Sequence, residues 1–295
     1  MPTERRKPIW LIPNLLSLDA PLVAVAWLYI FAKTWRVNYL PWAAYISLGL
    51  VVWVIYATDR LLDASIRTGP SEKLEARHIF HRKHQRVFRT AAMVAAMVAL
   101  ILVVTCLPWT IYGIALGPNG FIGYAVIGGI LVAGFFTLSV FSGTAPQETP
   151  HAKNILAGLS FAYGTAMLAH AYTGFDKDDL IKSPELVCFA VLCILNISAI
   201  DLWEHANRSS DPEIKASDEL SLTLPLTLLG AASLVFALRD PDVTTRPFFY
   251  AVLTGSALMQ ILNRVRSRFP IDALRVLADV ALMVPFIVFL AASRS

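Results

Sequence analysis

The 295-residue chain is 56% hydrophobic and only 16% charged, with a mean hydropathy of +0.59. Soluble domains carry about a quarter charged residues, so this composition excludes an ordinary soluble protein and points to an integral membrane one. The formal net charge of +4 is too small to indicate nucleic-acid binding, and its basic residues are better placed against anionic headgroups.

Strict apolar–polar alternation is absent, which excludes a membrane barrel and leaves helices, the other way to satisfy every backbone amide in lipid. A spanning helix needs about 20 apolar residues. Nine stretches qualify: 16–35, 40–58, 88–107, 121–141, 153–172, 185–202, 220–238, 247–263 and 273–292. They predict a single polytopic all-α membrane domain over residues 1–295. The basic start Arg5-Arg6-Lys7 precedes the first stretch, whose apolar run continues past Ala24 and Ala26, too far for a signal peptide. With the N-terminus inside, 18 of the 25 lysines and arginines fall on the inner side, as the positive-inside rule expects of a cytoplasmic N-terminus and an odd number of spans.

Asp19 lies near the inner start of the first stretch. The second runs VVWVIYATDRLLDASIR and ends in Asp59 and Asp63, with Arg67 continuing the i, i+4, i+8 stripe. RHIFHRKHQR (77–86) spaces His78, His81 and His84 three apart, whereas a helical metal pair uses i, i+4. This segment reads as a basic helix on the membrane surface, with Phe80, Val87 and Phe88 dipping in and cations such as Arg77 free to close over an anion. Lys153 opens the fifth stretch and His170 closes it as a packing residue. The sixth ends in LNISAIDLWEHANRSSD, where Asp201 and Glu204 are i, i+3 neighbours. Asn196 lies about 7.5 Å deeper, where it serves a helix–helix hydrogen bond or a substrate contact. The eighth stretch is short and carries Gln260 and Asn263, and in the ninth Arg275 and Asp279 form an i, i+4 pair. Cys106, Cys188 and Cys193 have neither disulfide nor zinc spacing and read as core residues.

Asp59, Asp63, Asp201, Glu204 and Lys153 are thus predicted at one face. Four carboxylates on two helices suit a hard cation such as Mg²⁺, which also bridges to substrate phosphates. The alternative is that Asp59 pairs with Arg60 or Arg67 while Asp201 and Glu204 solvate a helix end. VVWVIYATDRLLDA (51–64) aligns with CILNISAIDLWEHA (193–206), superposing Asp59 on Asp201 and Ala57 on Ala199. That echo suggests two four-helix units plus a ninth helix. No G-x-S-x-G, Walker A, HExxH or dinucleotide fingerprint is present.

Nine spans, an inside N-terminus and acidic motifs after the second and sixth helices resemble the UbiA superfamily of intramembrane prenyltransferases. The family's first motif is NDxxDxxxD; DRLLD supplies its last two aspartates, Asp59 and Asp63, while Ile55 and Tyr56 stand at the leading Asn and Asp. KNILAGLSFAYG (153–164) is similar to the family's lysine-led fifth helix. In the second motif Asp201 is kept, with Glu204, Arg208 and Asp211 at the later acidic positions.

The resemblance implies a helical bundle in the cytoplasmic membrane whose active face meets the cytoplasm. Mg²⁺ held by Asp59, Asp63, Asp201 and Glu204 would bind an isoprenoid diphosphate, with Asp59, Asp63 and Asp201 catalytic. Lys153, Arg67, Arg77, Asn196 and Tyr56 would contact substrate, and an aromatic or other lipid-soluble acceptor would take the prenyl group. No nucleic acid and no obligate protein partner is implied. The altered first motif implies a divergent branch: a weaker or single metal site, a changed substrate, or a scaffold that has become a non-catalytic lipid-binding or transport protein. A CDP-alcohol phosphotransferase would need a DGxxAR run, which the chain does not have.

Overall fold

The computed structural model describes residues 9–66, 76–107, 120–142, 150–240 and 242–293, with the backbone alone at 66, 76–78, 142 and 150. Every regular element among them is helical. A 3₁₀ turn (Ile9–Leu11) leads into α1 (Ile12–Leu15), followed by α2 (Asp19–Thr34), α3 (Trp42–Ile66), α4 (Ala76–Lys83), α5 (Gln85–Cys106) and α6 (Phe121–Ser142). Then come α7 (Pro150–His170), the short α8 (Lys177–Lys182), α9 (Pro184–Arg208), α10 (Pro212–Arg239), α11 (Arg246–Val265) and α12 (Ile271–Ala292).

Each of the nine apolar stretches coincides with one of α2, α3, α5, α6, α7, α9, α10, α11 and α12. Six of these, α3, α5, α6, α9, α10 and α12, are long and apolar enough to cross a bilayer. The first segment and α2 make a seventh only if taken together across a 78° bend. α7 and α11 fall short for a physical reason. α7 carries His151, Lys153, Asn154, Ser160 and Thr165, and α11 carries Gln260, Asn263 and Arg264. Both lie inside the bundle, α7 against α2, α3, α6 and α9, and α11 against α9, α10 and α12. Long apolar helices in this number are compatible with an integral membrane protein.

Ser183 and Asp211 cap α9 and α10 by accepting from the amides of Leu186 and Glu213, each followed by a proline in the first turn. Trp27 of α2 sits at the centre of the core with no exposed surface. Its ring stacks on Phe189 of α9 at 4.3 Å and meets Phe248 of α11 edge-on at 5.7 Å. Its Nε1 donates to the Leu282 carbonyl at 2.8 Å, beside the gap that Pro285 makes in the α12 ladder.

The predicted first span, 16–35, is occupied by α2, and just ahead of it the chain turns sharply at Ser17, which has a positive φ of 57°. Two carbonyls at the bend accept from α3, one of them, Asn14 O, in addition to the Ser17 amide at 3.1 Å. Trp53 Nε1 donates to Leu16 O at 2.8 Å and the buried Arg60 Nη1 to Asn14 O at 2.7 Å. Asn14 in turn donates to the buried Asp19 carboxylate at 2.6 Å.

The surface-helix expectation for 77–86 is met differently. Phe88 is buried, stacked on Trp53 of α3 at 6.4 Å and close to His81 at 4.2 Å. Only Val87 of the expected apolar trio lies largely open, at 67% exposure. Aromatic packing onto α3 takes these rings away from the outer surface.

Candidate functional site

α3 runs on to Ile66 and α9 to Arg208, so Asp59, Asp63, Asp201 and Glu204 all stand on the last turns of long helices. The C-terminal end of a helix carries negative partial charge, which disfavours an acid in the last turn, such as Asp63, and fades by Asp59 and Asp201, two turns back. Asp59, Asp63 and Asp201 find partners on α7, whose first turns present Lys153 and Asn154, and whose N-terminus is the positive pole of its own dipole.

Lys153 Nζ lies 3.3 Å from Asp59 Oδ1 and 3.9 Å from Asp63 Oδ1. One ammonium is therefore shared by both acids of α3. All three side chains keep between 18% and 23% of their surface open. Ser139 of α6 donates a further hydrogen bond to Asp59 Oδ1 at 3.3 Å, and the ammonium lies 5.4 Å from the Phe135 ring centre. The next residue, Asn154, reaches the other way: its Nδ2 donates to Asp201 Oδ2 of α9 at 2.7 Å. Successive residues of α7 thus join the acids of α3 to the acid of α9.

Glu204 turns elsewhere. Its two oxygens are taken by Arg275 of α12, in a very short contact, and by Arg208 at 3.1 Å. Arg275 is buried and also meets Asp272, three residues before it, at 3.4 Å. Asn196 donates to the Ala278 carbonyl of α12 at 2.9 Å, a helix–helix bond. It also borders, with Tyr56, Phe161, Cys193 and Asp279, a small cavity of about 20 Å³ in the middle of the bundle. That is room for a single water. Arg67 and the side chain of Arg77 lie outside the described residues.

His84 brings Nδ1 within 2.9 Å of the Phe80 carbonyl, and His81 packs on Phe88. Among the described residues no three His, Cys, Asp or Glu side chains gather closely enough to hold a metal ion by themselves.

Asn154 and Ser139 are the site residues that sequence reasoning passes over. Asn154 stands beside the lysine that was singled out, and Ser139 is one of several hydroxyls in an apolar helix, with 3% exposure. Comparison of the chain with family models, with curated proteins and with solved structures returns no match.

Proposed function

We propose that this protein is a divergent relative of the UbiA-type prenyltransferases, moving a prenyl group from an isoprenoid diphosphate to an aromatic or other lipid-soluble acceptor within the membrane. The observation that carries the reading is the Lys153–Asn154 pair, which joins the acids of α3 and α9 at one end of the bundle. The same reading takes that end as the cytoplasmic side of the inner membrane, the side richer in basic residues.

The residues fit Mg²⁺. Asp59 and Asp63 already share one cation, and Mg²⁺ is commonly held by one or two carboxylates together with waters and substrate phosphates, without an all-protein cage. When bound, the ion would supply Lewis acidity to the leaving diphosphate. Asp59, Asp63 and Asp201 would position it. Glu204 would join only by leaving Arg275 and Arg208. Lys153, exchanged off the two carboxylates, would neutralise diphosphate oxygens. The allylic C–O bond breaks with its electron pair leaving on the diphosphate; the acceptor supplies the pair for the new bond and gives up a proton. Phe161 and Tyr56, which meet edge-on at 6.4 Å and border the cavity of about 20 Å³, would face the allylic cation only once that cavity widens.

Titration calorimetry with a non-ionisable farnesyl diphosphate analogue tests this. Wild type is expected to bind only with Mg²⁺ present, and Asp59→Asn and Asp201→Asn to lose that binding while keeping wild-type helical content by circular dichroism. Binding by both variants at wild-type strength would remove the metal site.

A second reading, a non-catalytic lipid-binding or transport protein on the same scaffold, is favoured by two observations. Lys153 sits where a cation would sit, and the central cavity of about 20 Å³ is far too small for an isoprenoid tail. Retention of a lipid by purified wild type, with no Mg²⁺-dependent diphosphate binding, would select it.

A further inference from the structure

α5 lies along α3 and buries Ala92, Ala95 and Ala99. Small residues at these positions let helices approach closely. Beside the contact they leave an open furrow of about 710 Å³, bordered by Leu50 of α3 and by Val87, Ala91, Val94 and Val98 of α5. Val87, Val94 and Val98 are 67%, 56% and 42% exposed, so the furrow faces outward from the bundle. The hydroxyl of Thr90, also on its border, is spent on the Arg86 carbonyl at 3.0 Å. The wall is therefore hydrocarbon from end to end, except for the guanidinium of Arg86 at its mouth.

Dimension and charge say what fits. From Arg86 to Val98 a helix rises about 18 Å, close to one leaflet of a hydrocarbon core about 30 Å thick. Residues 76–107 contain five basic side chains, Arg77, Arg82, Lys83, Arg86 and Arg89, and no acid. Arg89 follows Arg86 by three residues and shares its side of α5.

We propose that this furrow binds an anionic phospholipid, one acyl chain lying against Val87, Val94 and Val98 and its phosphate held by Arg86 with Arg89 beside it. The site is independent of the proposed diphosphate chemistry: Asp59 and Asp63 are met from α6 and α7, whereas the furrow lies on the α3–α5 flank.

The test is native mass spectrometry of the full chain in detergent micelles, supplied separately with phosphatidylglycerol and phosphatidylcholine of the same acyl composition. Wild type is expected to retain one phosphatidylglycerol and to shed phosphatidylcholine. Arg86→Gln should reduce retention about fivefold, the equivalent of the roughly 1 kcal/mol that one basic residue contributes near anionic lipid. Ala91→Phe, which fills the furrow and leaves the charge in place, should reduce it at least as much. Both variants should keep the wild-type unfolding midpoint, and the farnesyl diphosphate analogue should displace no lipid. Equal retention of the two lipids, unchanged retention in Arg86→Gln, displacement by the analogue, or a dimer that Ala91→Phe dissociates would each overturn the proposal.

Discussion

Gly158 is where the geometry of the site can be disturbed without touching a charged group. A Cβ at this buried position would stand 2.5 Å from Ile194 Cγ1, 2.7 Å from Ile194 N and 2.8 Å from Ile194 Cα, against an ordinary contact of 3.4–4 Å. Two of these atoms are backbone and cannot rotate away, so Gly158→Ala must move α7 from α9 by about 1 Å, at a cost of about 1–3 kcal/mol. Asn154 lies one turn away on α7, and its 2.7 Å bond to Asp201 would open beyond hydrogen-bonding distance. Loss of a bond to a charged acceptor adds about 1.5–3 kcal/mol, while alanine's better helix propensity returns about 0.5–1 kcal/mol. A net loss of about 1.5–5.5 kcal/mol follows, and at about 2–4 °C per kcal/mol the thermal unfolding midpoint in detergent should fall by several degrees or more. Gly164→Ala is the control: nothing lies within 4 Å of its Cβ position, so it should be neutral or stabilising. A Gly158→Ala protein as stable as the Gly164→Ala control would refute the close approach of α7 to α9, and with it the Asn154 link.

The other expectations concern charge. Lys153→Met removes the cation shared by Asp59 and Asp63; Mn²⁺ alone should then bind about tenfold more tightly, a change of about 1.4 kcal/mol, while pyrophosphate binds more weakly. Unchanged Mn²⁺ affinity would show that the lysine does not compete for the site. Arg60→Met removes the charged donor to the Asn14 carbonyl, which keeps only the Ser17 amide at 3.1 Å, at about 1.5–3 kcal/mol for a bond to a charged group. Hydrogen exchange over residues 9–18 should rise, and wild-type exchange there would refute the anchoring of the bend. At the other end of α2, the Thr244 amide and hydroxyl, and the Arg36 guanidinium at 2.7 Å, hold the Asp242 carboxyl below its usual range. A depressed carboxylate contributes its stability above the ordinary value of about 3.9 and loses it as pH falls through the lower folded value. The difference in unfolding midpoint between wild type and Asp242→Asn should therefore be flat from pH 8 to 5 and close below pH 4. A gap independent of pH would contradict the clamp.

Helix positions were legible because apolar runs of about 20 residues have few other uses, but helix ends were not. The apolar runs stop at residues 58 and 202, whereas α3 and α9 continue to Ile66 and Arg208. Acids end a hydrophobic stretch without ending a helix, and no glycine or proline follows Asp63 until Gly69. Lys153 stood out as a lone lysine at the head of an apolar run. Asn154 did not, because nothing local distinguishes an amide whose partner lies 47 residues away. Glu204 shows the limit of spacing arguments. Its i, i+3 relation to Asp201 holds, yet its oxygens go to Arg208 and, 71 residues away, Arg275, because α12 packs against α9 on that side. The bend at Ser17, just ahead of α2, was equally hidden, since it is held by bonds from Trp53 and Arg60 of another helix.

Electron paramagnetic resonance of Mn²⁺ bound to the purified protein with pyrophosphate tests most directly whether the acids of α3 and α9 serve one metal–diphosphate site. The expected result is an immobilised Mn²⁺ signal with phosphorus hyperfine coupling, lost in both Asp59→Asn and Asp201→Asn. A spectrum indistinguishable from that of Mn²⁺ and pyrophosphate without protein, or a bound signal that survives in both variants, would contradict it.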